Sequence, residues 1–343
     1  MGEGRAHGHR AWDGAGSRAN RLQFARGERP IWAFTLRRLL YAVPVLLGVS
    51  MLVFALIHLA PGDVVDILVP PEVPKEIADS LRRRFRLDEP LYMQYLAWLS
   101  RLLVGDFSIS FFTNRPVAEE LFGALGNTLV LALPAAVLGF LLGVVLGALA
   151  AYNHGSWLDK LFSATAIIGV SLPHYWVGIV LVAIFAVVLN VLPAQGMGFE
   201  GIPTSWDHVK HLILPVVTLS LIPMGVISRL VRANVLEILS QEFVGALHAK
   251  GLLNRRVLYH TLKNAAPSAL ALMGLQFGYL LGGSILVETV FNWPGSGGLM
   301  NLAIFRRDVP MLSATIVVLA TIFVLINILV DVLQALIDPR VRR

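Results

Sequence analysis

Six apolar runs, each near the length of a membrane-crossing helix, constrain this chain more than any other feature. A bilayer core of roughly 30 Å needs about 20 apolar residues in helical form. Runs of that kind occupy 39–60, 129–151, 161–189, 212–228, 269–287 and 311–330. Hydrocarbon leaves a backbone no partner but itself, so spanning segments of this composition are helices. The expected fold class is all-α, a polytopic integral membrane protein with six transmembrane helices. The third run is long for one span and holds Pro173, which predicts one kinked or tilted helix in preference to two short ones. The first has too long an apolar part and too extended a leader to read as a cleaved signal.

Composition agrees. With 56% hydrophobic and 15% charged residues, a 343-residue chain has too few charges to coat a soluble globule. The formal net charge of +6 is spread between the apolar runs, a pattern that suits lipid and local partners and argues against nucleic acid. Cysteine is absent, which excludes disulfides, thiolate catalysis and cysteine metal sites.

Lys and Arg set the expected orientation. If the N-terminus is cytoplasmic, the inner segments hold 18 of the 28, whereas the short outer loops hold only Lys210, Arg306 and Arg307. Both termini then lie inside. Residues 1–34 are Gly-, Ala- and Arg-rich without apolar period and read as a disordered cytoplasmic tail. Within the outer segment, 61–126, an amphipathic stretch at 91–104 is expected on the bundle surface or in the interface. Asp106, after Gly105, reads as a solvated turn.

Two spans carry small residues at every fourth position: Gly139, Gly143 and Gly147 in the second, Gly274, Gly278 and Gly282 in the fifth. Such stripes let backbones approach closely, so they are assigned to helix packing, with sliding of smooth faces as the functional variant. Polar groups at membrane depth are costly and are weighed separately. His174, Gln276 and Glu288 are the candidates for a translocation pathway. His174 has no companion acid in its span and reads as a packing histidine before a ligand. Gln276 either lines a passage or bonds a neighbouring helix. Glu288 and Asp331 lie near span ends within reach of water. His208 and His211 lack the acid-histidine constellation of a metal site, and no metal is assigned. The catalytic set is likewise empty: the chain has no GxxxxGK[ST], HExxH or GxSxG. Any driving energy comes from another chain.

Between the fourth and fifth spans lies "SQEFVGALHAKGLLNRRVLYHTLKNAAPSAL", within a proposed loop at 236–268. Ser240 is placed to cap a helix with Glu242 in its first turn, and Gly251 to end it in a left-handed conformation. A second helix is expected after Asn254 as cap, with Leu253 and Leu258 at staple spacing, and Arg256, His260 and Lys263 on one face. Pro267 then marks the change into the fifth span. A short polar loop would suffice as a tether, so the pair reads as a docking knob. A positive-inside anchor and, more weakly, a DNA-binding helix-turn-helix are the other readings.

"AKGLLNRRVLYHTLKNAAPSAL", pivoting on Gly251, resembles the cytoplasmic EAA loop of ABC-transporter permeases. More narrowly it is similar to the dipeptide/oligopeptide permeases of the first-subunit type. The likeness extends through "RRLLYAVPVLLGVS", "APGD", "LDEPLYMQYLAWLSRLLVGDFSISF", "RPVAEEL", "SLPHYWVG", "LVETVFNWPGSGGL" and "NILVDVLQALIDPRVR". It implies that 35–343 form the permease transmembrane domain of a type I ABC importer in a bacterial or archaeal cytoplasmic membrane. The partners it implies are a second permease subunit, two cytoplasmic ATPases that hold ATP and Mg, and an extracytoplasmic solute-binding protein. The cargo it implies is peptides or related small solutes, and no cofactor is bound by this chain. Coupling to the ATPases is carried over to Glu242, Phe243, Ala246, Leu247, His248, Ala249, Lys250, Gly251, Arg255 and Arg256. Where the family often reads YVRTARAKG this chain has "FVGALHAKG"; the EAA glutamate position falls on Gly245, so no acid carries over. A self-contained ion-coupled carrier or channel using Glu288 or Asp331 is the rival class.

Overall fold

The computed structural model describes residues 30–59, 88–198 and 205–337. Of the tail expected over 1–34, the part before Pro30 lies outside the described residues, as do the "APGD" segment and the residues after Ile337, while 31–34 already belong to the first helix. Ten α-helices follow in order: α1 (Ile31–Leu59), α2 (Leu91–Leu103), α3 (Val117–Tyr152), α4 (Trp157–Ser171), α5 (His174–Leu181), α6 (Trp206–Leu239), α7 (Glu242–Ala249), α8 (Asn254–Val290), α9 (Ser296–Arg306) and α10 (Val309–Ile337). A π-helix, Val182–Val188, continues α5. Among the described residues the one β feature is an isolated bridge between Ile109 and Pro116.

Among the described residues five helices, α1, α3, α6, α8 and α10, are long and apolar enough to cross a membrane; the bent α4–α5 pair makes a sixth span if counted as one. The apolar runs therefore foretold the spans but not their lengths. α3, α6 and α8 have 36, 34 and 37 residues, about 50–55 Å at 1.5 Å per residue, so each projects well past the hydrocarbon.

The third span is not a single kinked helix. α4 and the α5–π segment meet at 99°, because Pro173 cannot donate to the preceding turn and its ring pushes Leu172 into an extended conformation (φ −83°, ψ 134°). Each arm is about 22 Å long, too short to cross alone. Ser156 caps α4 by accepting from Asp159 N at 3.3 Å.

The core forms where α3 and α6 lie together. A Cβ added at Gly139 would stand 2.8 Å from Ser220 O, at Gly143 2.9 Å from both Met224 O and Ile227 Cβ, and at Gly147 2.5 Å from Ser228 O. No side chain fits there, so the stripe brings two backbones into contact. The second stripe behaves unevenly. Gly274 faces Val330 and Gly278 faces the Phe323 ring, both on α10, whereas Gly282 meets nothing within 4 Å; packing inside the chain stops at Gly278. α1 is peripheral, buried only at Ser50 and Val53. It packs on α10, where Arg38 pairs with Asp331 at 3.1 Å, and touches α2 through the Ser50 to Tyr95 hydroxyl contact at 2.9 Å.

Candidate coupling site

α7 stands between the ends of α6 and α8, and the expected cap is found neither at its own start nor at the start of α8. Ser240 does not cap it: the Ser240 hydroxyl donates back to Glu237 O at 2.7 Å and the residue closes α6, leaving Gln241 as N-cap. Asn254 is already the first residue of α8, capped by Leu253 without a side-chain bond. Leu253 is 72% exposed, so the expected staple is absent and Val257 takes the buried place. The second insert helix and the fifth span are one helix running through Pro267, whose carbonyl accepts from Gln334 Nε2 on α10 at 2.7 Å. Where sequence reasoning put two helices and a junction, the stalk is continuous, and around Pro267 its Ala265 and Ala269 pack with Val231, Val235 and Ile238 of α6.

The C-terminus of α7 follows expectation. Gly251 has φ +76°, its N–H donates to His248 O at 2.9 Å, and Leu252 N–H donates to Leu247 O at 3.2 Å. These two bonds form a Schellman motif, which satisfies carbonyls that the helix end would otherwise leave open. Only Val244 of α7 is buried. Glu242, Phe243, Ala246, His248, Ala249 and Lys250 all face outward, Leu247 is half-buried, and Arg255 and Arg256 continue the exposed surface with Tyr259, His260 and Lys263. The sequence-predicted coupling residues are thus brought together on one projecting knob.

The knob is mounted stiffly. Beneath it Val231, Val235 and Ile238 of α6 pack with Ala265 and Ala269 of α8 and Ala151 of α3, and Asn234 Nδ2 donates to Ser268 Oγ at 2.7 Å. A group that sequence reasoning missed ties in α4: Arg232 Nε and Nη2 donate to the two Asp159 oxygens at 2.7 and 2.8 Å, with His154 Nδ1 at 3.2 Å from the same carboxylate. The signal was present as an acid and an arginine at two span ends, but nothing in the sequence said those ends met.

The three pathway candidates do not converge. Gln276 and Glu288 lie twelve positions apart on α8, about 18 Å. His174 begins α5, its ring reaches the backbone of Gly283 on α8, and its Nε2 is buried without a hydrogen-bond partner. Gln276 is 8% exposed between the two glycines that pack on α10. Glu288 corrects the expectation of water access. It is 1% exposed, and its carboxylate accepts from Thr128 Oγ1 and Ser284 Oγ at 2.9 Å and from Gly298 N–H at 2.9 Å. Around it Ser296 N–H donates to Thr128 Oγ1 at 2.8 Å and Trp293 Nε1 to Asn127 O at 2.9 Å. The "NWPGSGG" turn folds back over the end of α8 and encloses the acid, a closure invisible to a reading by distance along the span. With Glu288 caged and Asp331 bound to Arg38, both ion-site residues of the carrier reading have structural duties.

Long spans carrying an exposed, rigidly mounted helix beyond their ends, in a chain with no nucleotide loop, define a membrane permease worked by other subunits. Residues 143–343 match the family described as binding-protein-dependent transport system inner membrane component, and residues 31–132 match the N-terminal part of such components. The chain belongs to this family, the permease subunits of ABC importers, which are not themselves the ATPases. It is 39% identical over 331 residues to the dipeptide transport system permease protein DppB of Alkalihalophilus pseudofirmus, covering 90% of this chain and 99% of the relative. It is 38% identical over 310 residues to the glutathione transport system permease protein GsiC of Escherichia coli K12, covering 90% and 98%. Among solved structures the inward-facing MetNI methionine ABC transporter matches with a TM-score of 0.54 at 19% identity, over 65% of this chain and 98% of that one; the likeness supports the fold.

Proposed function

We propose that this chain pairs with a second, different permease subunit to form a pathway for short peptides or chemically similar solutes into the cell, with both termini and α7 in the cytoplasm. Two ATPase subunits holding ATP and Mg seat α7 in a surface cleft, and an extracytoplasmic binding protein delivers the solute. The observation that carries this reading is α7 itself, closed by the Gly251 motif and exposed on nearly every face while its stalks are packed. The cargo class rests on the names of the relatives, which transport a dipeptide and glutathione. His174 and Gln276 are the pathway positions consistent with this arrangement, at the broken span and on α8.

Movement of the ATPases would tilt α6 and α8 through α7, and with them α3 and α4, between inward-open and outward-open states. The test is uptake into proteoliposomes holding the full set of subunits, with labelled dipeptide and glutathione compared. Uptake that needs ATP, the binding protein and the partner permease is expected. Uptake by this chain alone on an ion gradient would refute the proposal.

A further inference from the structure

We propose that a hollow between the C-terminal end of α1 and the N-terminal end of α10 binds a zwitterionic phospholipid, one of the outer leaflet on the orientation proposed above, on which this assignment of leaflet rests. The cavity has a volume of about 500 Å³, within the range of roughly 300–1,000 Å³ that encloses a small organic ligand. Phe54 and Ile57 of α1 form one wall, Val309 and Ala314 of α10 the other, and Ala97 and Trp98 of α2 lie across them. The lining is mainly apolar, and three of its aromatic neighbours touch: Phe54 meets Tyr95 at 5.4 Å and Trp98 at 5.8 Å between ring centroids.

Position selects the occupant. α1 packs on α10 and α2 and is otherwise exposed along Leu52, Leu56 and Leu59, the surface that a span presents to lipid. The hollow is a continuation of that surface at the flank, away from the α3–α6–α8 core. Tyr95 and Trp98 sit on an amphipathic helix at the end of the spans, where aromatic side chains mark headgroup depth.

The rim selects the headgroup. Arg101 makes one long bond, 3.5 Å to Ala97 O, and among the described residues has no carboxylate within 4.0 Å. Asp106, held beside it by its own N–H on Arg101 O at 2.9 Å, accepts from Ser108 N–H at 3.0 Å and likewise has no cation within 4.0 Å. Two opposite charges that ignore each other on one rim match a phosphate and an ammonium: Arg101 takes the phosphate, and Asp106 the amine. His58 stiffens the same edge, its ring bridging Phe54 O at 2.9 Å and Gln94 Oε1 at 3.2 Å.

The full chain, purified in mild detergent, is titrated separately with dioleoyl phosphatidylethanolamine and dioleoyl phosphatidylglycerol and read by native mass spectrometry. The ethanolamine lipid is expected to persist as a one-to-one adduct at energies that strip the glycerol lipid. Ala97→Trp should fill the hollow and remove that adduct. Arg101→Glu, on the exposed rim and safe for folding, should weaken it about tenfold, the worth of one charge-assisted contact. Equal retention of both lipids, or adducts unchanged in both variants, overturns the assignment. So does displacement of the phospholipid by leucyl-phenylalanine, which would make the hollow a solute subsite.

Discussion

Arg232 grips Asp159 with two nearly parallel hydrogen bonds, 2.7 and 2.8 Å, and so binds the start of α4 to the lower third of α6. The carboxylate is 7% exposed and the guanidinium 30%. Losing one partner of a fully buried pair costs roughly 3–5 kcal/mol, and exposed pairs are worth far less. Asp159→Ala is therefore expected to cost about 1–3 kcal/mol. A double-mutant cycle with Arg232→Ala, followed by thermal unfolding in detergent, should give clear non-additivity; additive losses would mean the pair contributes nothing of its own.

Gly251→Val places a β-branched residue at φ +76°, a conformation that costs an L-residue about 1–2 kcal/mol even without branching. Membrane insertion and pairing with the partner permease should survive, while ATPase docking or solute-stimulated ATP hydrolysis falls. Gly251→Asn, which tolerates the left-handed region, should fall less. Charge reversal at Arg256 should be milder still, since an exposed ion pair is worth only about 0–1 kcal/mol. Full stimulation in Gly251→Val would reduce α7 to an anchor.

Leucine at Gly143 and leucine at Gly282 should behave oppositely. At Gly143 the new side chain meets Met224 O and Ile227, and overpacking of about 1–3 kcal/mol should lower the melting temperature of the isolated chain. At Gly282 space is open, so the isolated chain should melt normally. A failure of Gly282→Leu to assemble with the partner permease would map that subunit onto this face of α8.

Glu288→Gln keeps the size of the side chain but cannot accept at every position: its amide nitrogen must face a donor, either the Gly298 N–H or a hydroxyl that has to turn. A loss of about 1–3 kcal/mol is expected from the mismatched group, with ATP-driven uptake retained at lower temperature. Abolished ion coupling with unchanged stability is the result that a carrier would give.

The lack of cysteine makes orientation directly testable. Val104→Cys, at a position 81% exposed, should react with an impermeant maleimide on intact cells, and Leu253→Cys, at 72%, only after the membrane is opened. Labelling of Leu253→Cys from outside would invert the topology and remove α7 from the ATPases.

The spans were legible because hydrocarbon imposes a length, and the end of α7 because Gly251 carries its own conformational reason. Ser240 and Asn254 were misread as caps since both look like helix starts locally; Ser240 instead closes the preceding helix with its hydroxyl on Glu237 O, and Asn254 already lies one position inside α8. Pro173 announced a break but not its 99° angle. Glu288 was placed near water because a span's end is normally wet, and the turn that covers it is built from residues that read as an ordinary loop. Asp159 and Arg232 stand far apart in sequence, and only the fold makes them neighbours.

The glycine stripe on α3 has a mechanical consequence. Its three notches recur every four residues, about 6 Å along the axis, and each receives backbone of α6, so the two helices mesh like a rack and its counterpart. A shift along the axis carries the carbonyls of Ser220, Met224 and Ser228 off the glycines and onto α3 positions that bear side chains, and even a whole step would set one of them against Ala135 or Ala151. Force arriving at the end of α6 therefore cannot be lost to creep between the two rods. They swing together as a single beam.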